Sequence, residues 1–181
     1  MRITSAFFFT FFILLSFSCE KSEHHSIPKT ANEALTALME GNERFINNAS
    51  IHHDFIDEAH HSEKDQHPHT FVLSCIDSRV PPEIVFDQGI GNLFVARVAG
   101  NIEDPNILGS MEYAVQVKGT KLLVVLGHSN CGAVQGAIDN VNLGHLTQLT
   151  NQIKVAFSHH RTYPLPEHLS DETGRLNVLS T

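Results

Sequence analysis

The chain is poor in cysteine. It has only three, Cys19, Cys75 and Cys131, and no C-x-x-C pair occurs anywhere. A structural zinc site normally closes with a fourth Cys or His, so the sequence does not favour a closed zinc knot. Positive charge is also scarce. Twelve Lys and Arg stand against twenty Asp and Glu, a formal balance of -8, which argues against nucleic acid or an anionic lipid surface as a partner. Long apolar runs are nearly absent. The longest, residues 6–17, is too short to span a bilayer comfortably. No internal repeat is visible, and the only compositional bias is an enrichment in histidine.

What is present suffices for one domain with a substantial core: 181 residues, of which 41% are hydrophobic and 18% charged. Arg2, the apolar run after it and the stretch Leu14-Leu15-Ser16-Phe17-Ser18-Cys19 have the form of a signal peptide ending in a loose lipobox. Residues 1–19 are expected to be the leader, with Cys19 as a lipidated first mature residue and the protein's only tie to a membrane. The alternatives are ordinary cleavage nearby, with Cys19 a bystander, and an uncleaved anchor. The expected location is the periplasm or the cell-envelope membrane. Residues 20–29 read as a polar linker, and residues 30–181 as a single domain.

Within that domain, Thr30-Ala31-Asn32-Glu33 reads as a capping box, and Leu35, Leu38 and Met39 follow at helical spacing to about Phe45. Residues 47–69 are polar, a loop or helix. Three short apolar runs then appear: Phe71-Val72-Leu73-Ser74, Leu93-Phe94-Val95-Ala96 and Leu122-Leu123-Val124-Val125-Leu126. Continuous rather than alternating runs suit strands of a parallel sheet buried on both faces. Between the second and third, Asp104 and Pro105 open a helix whose buried stripe is expected to be Ile107, Met111, Ala114 and Val115, ending at Gly119. Further helices are expected over 132–138 and within 144–160. The fold class is therefore α/β, a mainly parallel sheet flanked by helices.

The chemistry concentrates at two strand ends. Cys75-Ile76-Asp77-Ser78-Arg79 follows the first run and His128-Ser129-Asn130-Cys131 follows the third. Ligands in open α/β sheets bind beyond the carboxyl ends of strands. Two sulfurs and one imidazole form a three-ligand zinc set that leaves the fourth tetrahedral position open to water, as in catalytic sites. The competing reading in an oxidising compartment is a Cys75–Cys131 disulfide. For Asp77 and Arg79, the competing reading is a surface salt bridge of little energetic weight.

These motifs resemble those of the β-class carbonic anhydrases. The resemblance is carried by Cys75-x-Asp77-Ser78-Arg79-Val80 and Gly127-His128-Ser129-x-Cys131-Gly132-Ala133. It extends to Gly41-Asn42-x-Arg44-Phe45, Arg97-x-Ala99-Gly100-Asn101 and Ser110-x-Glu112-Tyr113-Ala114, and covers about residues 31–149. It implies one Zn2+ per chain held by Cys75, His128 and Cys131, and reversible hydration of carbon dioxide to bicarbonate. It implies that Asp77 and Arg79 form a catalytic dyad, with Asp77 a conditional fourth metal ligand. Gln66, Phe94, Tyr113 and Gly132 fall where members of the family line the substrate pocket, and members form dimers in which both subunits shape that pocket. Read on their own, Gln66 is a solvated loop residue and Phe94 and Tyr113 are core aromatics. Past Leu149 the resemblance thins, and Arg175-Leu176-Asn177-Val178-Leu179 ends the chain without the helix and strand with which members continue, so a shortened C-terminus is expected. Two other functions remain open: a catalytically silent zinc-binding protein of the envelope, and a hydrolase of CS2 or COS on the same fold. The histidines His24, His25, His52, His53, His60, His61, His67, His69, His159, His160 and His168 read mainly as solvated surface.

Overall fold

The computed structural model describes residues 27–159. The leader, Cys19 and the segment 160–181 lie outside the described residues. Three five-residue strands, β1 (Thr70–Ser74), β2 (Leu93–Arg97) and β3 (Leu122–Leu126), form a parallel sheet in the order β2-β1-β3. The helices are α1 (Ala31–Ile46), α2 (Phe55–Ser62), the single turn α3 (Pro82–Val85), α4 (Pro105–Glu112), α5 (Gly132–Ile138) and α6 (Gly144–His159).

The capping box forms as expected: Thr30 Oγ1 accepts from Glu33 N–H at 3.2 Å, and the Glu33 carboxylate accepts from Thr30 N–H at 3.3 Å. The buried stripe of α1 differs from the expected one. It is Ala34, Leu38, Gly41 and Asn42, whereas Met39 is exposed. The motif Gly41-Asn42-x-Arg44 explains the difference, because its residues dock the helix. A Cβ on Gly41 would lie 1.8 Å from the Phe86 carbonyl oxygen, Asn42 Nδ2 donates to Val85 O at 3.0 Å, and Arg44 Nε donates to the buried Asp87 carboxylate at 2.5 Å. α1 thus meets the chain after α3 backbone to backbone. Burying an aliphatic side chain such as Leu38 contributes about 1.5–3 kcal/mol.

The two sheet faces have separate cores. On the α1 side, Leu38, Val72, Phe86, Val124 and Leu126 pack together. On the other, Phe71, Leu73 and Ala114 pack with Phe94, Ala96, Ile107 and Met111. All five residues of β1 are buried, as expected of a central parallel strand. The expectation fails for β3. Leu123 is 47% and Val125 60% exposed, because these two share the face of Phe71 and Leu73, where the helix covers only the β1–β2 half. That helix continues from α4 into a π turn over Tyr113–Val117 and ends where Gly119 adopts φ +70° and Thr120 N–H donates to Ala114 O at 3.0 Å. Each π turn inserts a residue into the helical register. The stripe therefore keeps Ile107, Met111 and Ala114, but Val115 turns outward and is exposed, which corrects its expected burial.

The order β2-β1-β3 fixes where a ligand can sit. From β1 the chain moves to one side to form β2, then crosses over to the other side to form β3. β1 and β3 are therefore the neighbours at which strand order reverses, with Ser74 opposite Leu126. Loops leaving adjacent strands in opposite directions open a crevice at their carboxyl ends. Cys75 follows Ser74 directly, and His128 lies two residues past Leu126.

Candidate metal centre

Side-chain donor atoms of Cys75, His128 and Cys131 all lie within 4.8 Å of one another, the sole such group of His, Cys, Asp or Glu among the described residues. The two sulfurs are 4.0 Å apart. Cys75 is buried at the end of β1, and Cys131 is the N-cap residue of α5. His128 Nδ1 lies 2.9 Å from the Ser129 carbonyl oxygen. A carbonyl can only accept, so Nδ1 carries the proton and Nε2 keeps its lone pair. That Nε2 is buried and has no hydrogen-bond partner.

An orphaned basic nitrogen beside two thiols is the donor set of a divalent zinc, so these residues fit the ion. The Cys75 sulfur is tuned for it. Burial pushes the Cys75 thiol up, but N–H donation from Gly100 (3.3 Å to Sγ) and Asp77, with contacts to His128 and Cys131, outweighs it and brings Cys75 down to about 7. Gly100 can offer that N–H because it has φ +71°, in the left-handed region, and carries no Cβ. A Cβ there would lie 2.6 Å from Ile153 Cδ1 of α6.

Asp77 and Arg79 meet beside this cluster. Arg79 Nε donates to Asp77 Oδ1 at 2.8 Å, and Arg79 Nη2 donates to Oδ2 at 2.7 Å. Arg79 N–H also donates to Oδ1 at 3.0 Å. These bonds from Arg79, first the side-chain pair and then the backbone one, hold the Asp77 carboxyl well below the usual carboxylate range. Asp77 Oδ2 stands 3.7 Å from His128 Nδ1, and Asp77 is not one of the three converging donors. Arg79 Nη2 reaches on to Asn130 O at 3.4 Å, tying one ligand-bearing turn to the other.

The remaining sequence-chosen residues lie elsewhere, except Gly132. Gly132 opens α5 next to Cys131, and a Cβ there would meet nothing within 4 Å. Phe94 and Tyr113 contact each other edge-on, ring centroids 6.3 Å apart. They line an open groove along β2 and α4 with Phe71, Pro105 and Asn106, and no member of the ligand cluster lines it. Gln66 is exposed on the loop before β1, where Asp65 accepts from Gln66 N–H at 2.9 Å and from Lys118 Nζ at 2.8 Å. Within one chain, then, the pocket candidates Gln66, Phe94 and Tyr113 are not gathered at the Cys75 cluster. Sequence reasoning also gave no role to Gly100 or Arg97, although both stand in one of the quoted motifs. The signal was their place at the carboxyl end of β2, beside the first ligand turn.

Comparison with known proteins agrees with this arrangement. The family model described as carbonic anhydrase matches residues 70–180, so the likeness continues past Leu149, where it was expected to thin. Carbonic anhydrase 2 of Mycobacterium tuberculosis is 46% identical over 114 residues, 62% of this chain and 55% of that protein. The carbonic anhydrase of Mycolicibacterium smegmatis is 43% identical over the same shares. The chain thus spans about half the length of the curated relatives it matches. Among solved structures, a tetrameric β-carbonic anhydrase of Sordaria macrospora superposes with a TM-score of 0.51 at 29% identity, over 59% of each chain. The Coccomyxa β-carbonic anhydrase in complex with acetazolamide gives 0.54 at 25% identity, over 71% of this chain and 59% of that one. With its parallel sheet, its Cys-His-Cys cluster and this match over most of its length, the chain belongs to the β-class carbonic anhydrase family.

Proposed function

We propose that the protein is a zinc-dependent carbonic anhydrase that interconverts carbon dioxide and water with bicarbonate and a proton. One observation carries the reading: the Cys75, His128 and Cys131 donors converge from two strand ends, with no fourth His, Cys, Asp or Glu donor joining them among the described residues, beside an arginine-anchored carboxylate. A zinc ion in that set supplies a Lewis acid that lowers the pKa of a water from 15.7 to about 7. The chain's own groups do the rest. Cys75 and Cys131 act as thiolates, and the Ser129 carbonyl fixes the His128 tautomer that presents Nε2. Asp77, ionised throughout the working pH range, accepts a hydrogen bond from the reacting water and aligns it. Arg79 holds Asp77 in that role and turned away from the metal; an Asp77 released from Arg79 is the conditional fourth ligand. Gly132 leaves space for substrate beside Cys131.

Gln66, Phe94 and Tyr113 enter the pocket from a second subunit, so the working unit is at least a homodimer. The exposed apolar residues Leu108, Tyr113 and Val117 support this, since single-sided apolar surface is covered by association. The apolar leader and lipobox-like Cys19 support export as an envelope lipoprotein. Mass measurement of the mature N-terminus tests that part, and an unlipidated Cys19 would remove the anchor.

The catalytic reading is tested by stopped-flow carbon dioxide hydration on purified protein of known zinc content. Turnover should rise with pH as the reacting water ionises. Full zinc without hydration would refute the reading, and a rate that stays flat from about pH 6 to about pH 9 would refute the ionising-water step.

A further inference from the structure

We infer that Arg97 is a positioning residue of the metal centre, which clamps the turn carrying Cys75 and Asp77 through its backbone carbonyls. The inference rests on the zinc reading above. Arg97 is the last residue of β2 and stands opposite Ser74, the last residue of β1. From there its guanidinium crosses the strand gap. Nε donates to Cys75 O at 2.9 Å and Nη2 to Asp77 O at 2.5 Å. The Asp77 carbonyl also accepts from Val80 N–H at 3.2 Å, closing the turn. One planar cation therefore holds the carbonyl of a metal ligand and that of the catalytic carboxylate two residues later. Arg79 grips the Asp77 side chain, whereas Arg97 grips the main chain beneath it. Arg97 is exposed and packs in neither core cluster, so its bonds serve the turn rather than the core. A fixed fork of donors suits two carbonyls in a way a lysine's single ammonium does not.

The test uses Co2+ as the probe, with Arg97→Gln and Arg97→Lys variants of the full chain. Co2+ affinity is measured by competition with a chelator, the visible d–d bands report ligand geometry, and the urea midpoint of the metal-free protein reports global stability. Hydrogen exchange of residues 75–80 without metal reports the turn directly. Loss of a partner behind a metal ligand costs about 10–100-fold in affinity. Arg97→Gln should lose Co2+ affinity in that range, alter the d–d bands and speed exchange over 75–80, with the urea midpoint unchanged. Arg97→Lys should recover part of each. Wild-type affinity, bands and exchange in Arg97→Gln would overturn the inference, as would an affinity loss matched by lost global stability with unaltered bands. A wild-type chain that binds no Co2+ would instead sink the metal reading, and unchanged exchange in metal-free Arg97→Gln would still sink the clamp separately.

Discussion

Gly100→Ala is the sharpest test of how the first ligand turn is built. Gly100 has φ +71° and donates its N–H to the Cys75 sulfur. Placing a Cβ in left-handed backbone costs about 1–2 kcal/mol. The same Cβ would lie 2.6 Å from Ile153 Cδ1 and 3.3 Å from its Cγ1. Ile153 is only 4% exposed, so it cannot swing into solvent, and overpacking of this kind costs about 1–3 kcal/mol. Together the loss is about 2–5 kcal/mol, read from urea unfolding of the metal-free protein as a lower midpoint at constant slope. A second variant separates the two causes. Ile153→Val removes the offending methyl and by itself costs about 0.5–1.5 kcal/mol. In the double variant the clash disappears and the backbone cost stays, so the penalty beyond Ile153→Val alone should shrink to about 1–2 kcal/mol. Strict additivity of the two variants would refute the contact. A Gly100→Ala protein within about 0.5 kcal/mol of wild type would refute both causes at once.

Gly41→Ala would gain up to about 1 kcal/mol if α1 were free in solvent. Here its Cβ would sit 1.8 Å from a backbone oxygen, so a lower urea midpoint is expected, and a raised one would contradict the docking of α1. Asp77→Asn keeps the shape of the side chain but loses the anchored charge. Turnover should fall by about 10²–10⁴-fold with zinc content unchanged, measured by stopped flow and metal analysis on the same sample. His69, expected on the solvated surface, is instead buried between Thr70 and Gln88, and burial pushes its pKa down from 6.5. As pH falls below that value the unfolded chain takes up a proton that the folded chain refuses, so stability declines. His69→Gln should flatten that decline, seen by comparing urea midpoints near neutral and near pH 5. Diluting the protein until it dissociates should abolish turnover while leaving zinc bound, followed by activity and sedimentation on one series.

Much of this was readable from residue types. Strand positions came from three apolar runs, and the capping box and the Asp104–Pro105 start announced two helices. The metal cluster was legible because Cys75 and His128 each sit just past a run, and parallel strands put such ends on one rim. What escaped was set by tertiary geometry. The outward turn of Val115 follows from a π turn over Tyr113–Val117 that no local pattern marks. The exposure of Leu123 and Val125 depends on how far the α4 helix reaches across the sheet. Met39 fits the helical period as well as Leu38 does, but only the approach of Gly41 to the Phe86 carbonyl decides which side of α1 is buried. Arg97 and Gly100 stood in a motif without a role because their partners, the Cys75 carbonyl, the Asp77 carbonyl and the Cys75 sulfur, are some twenty residues away in sequence.

The distribution of chemistry over the chain argues for assembly as part of the active centre. The carboxyl rim at β1 and β3 carries the Cys75, His128 and Cys131 donors and the Asp77–Arg79 pair. Residues suited to a weakly polar linear substrate, Phe94 and Tyr113, sit in a groove on the β2–α4 flank that none of the metal donors lines. Under the function proposed above, each chain would hold a half-site for binding a metal and a half-site for receiving substrate, at separate places on its surface. Two copies related by a twofold axis can bring unlike halves together twice, because an isologous contact repeats every residue pairing. Such an arrangement would also cover apolar side chains that a single copy leaves in water, so an association that completes the proposed pocket would draw its energy from the same surface.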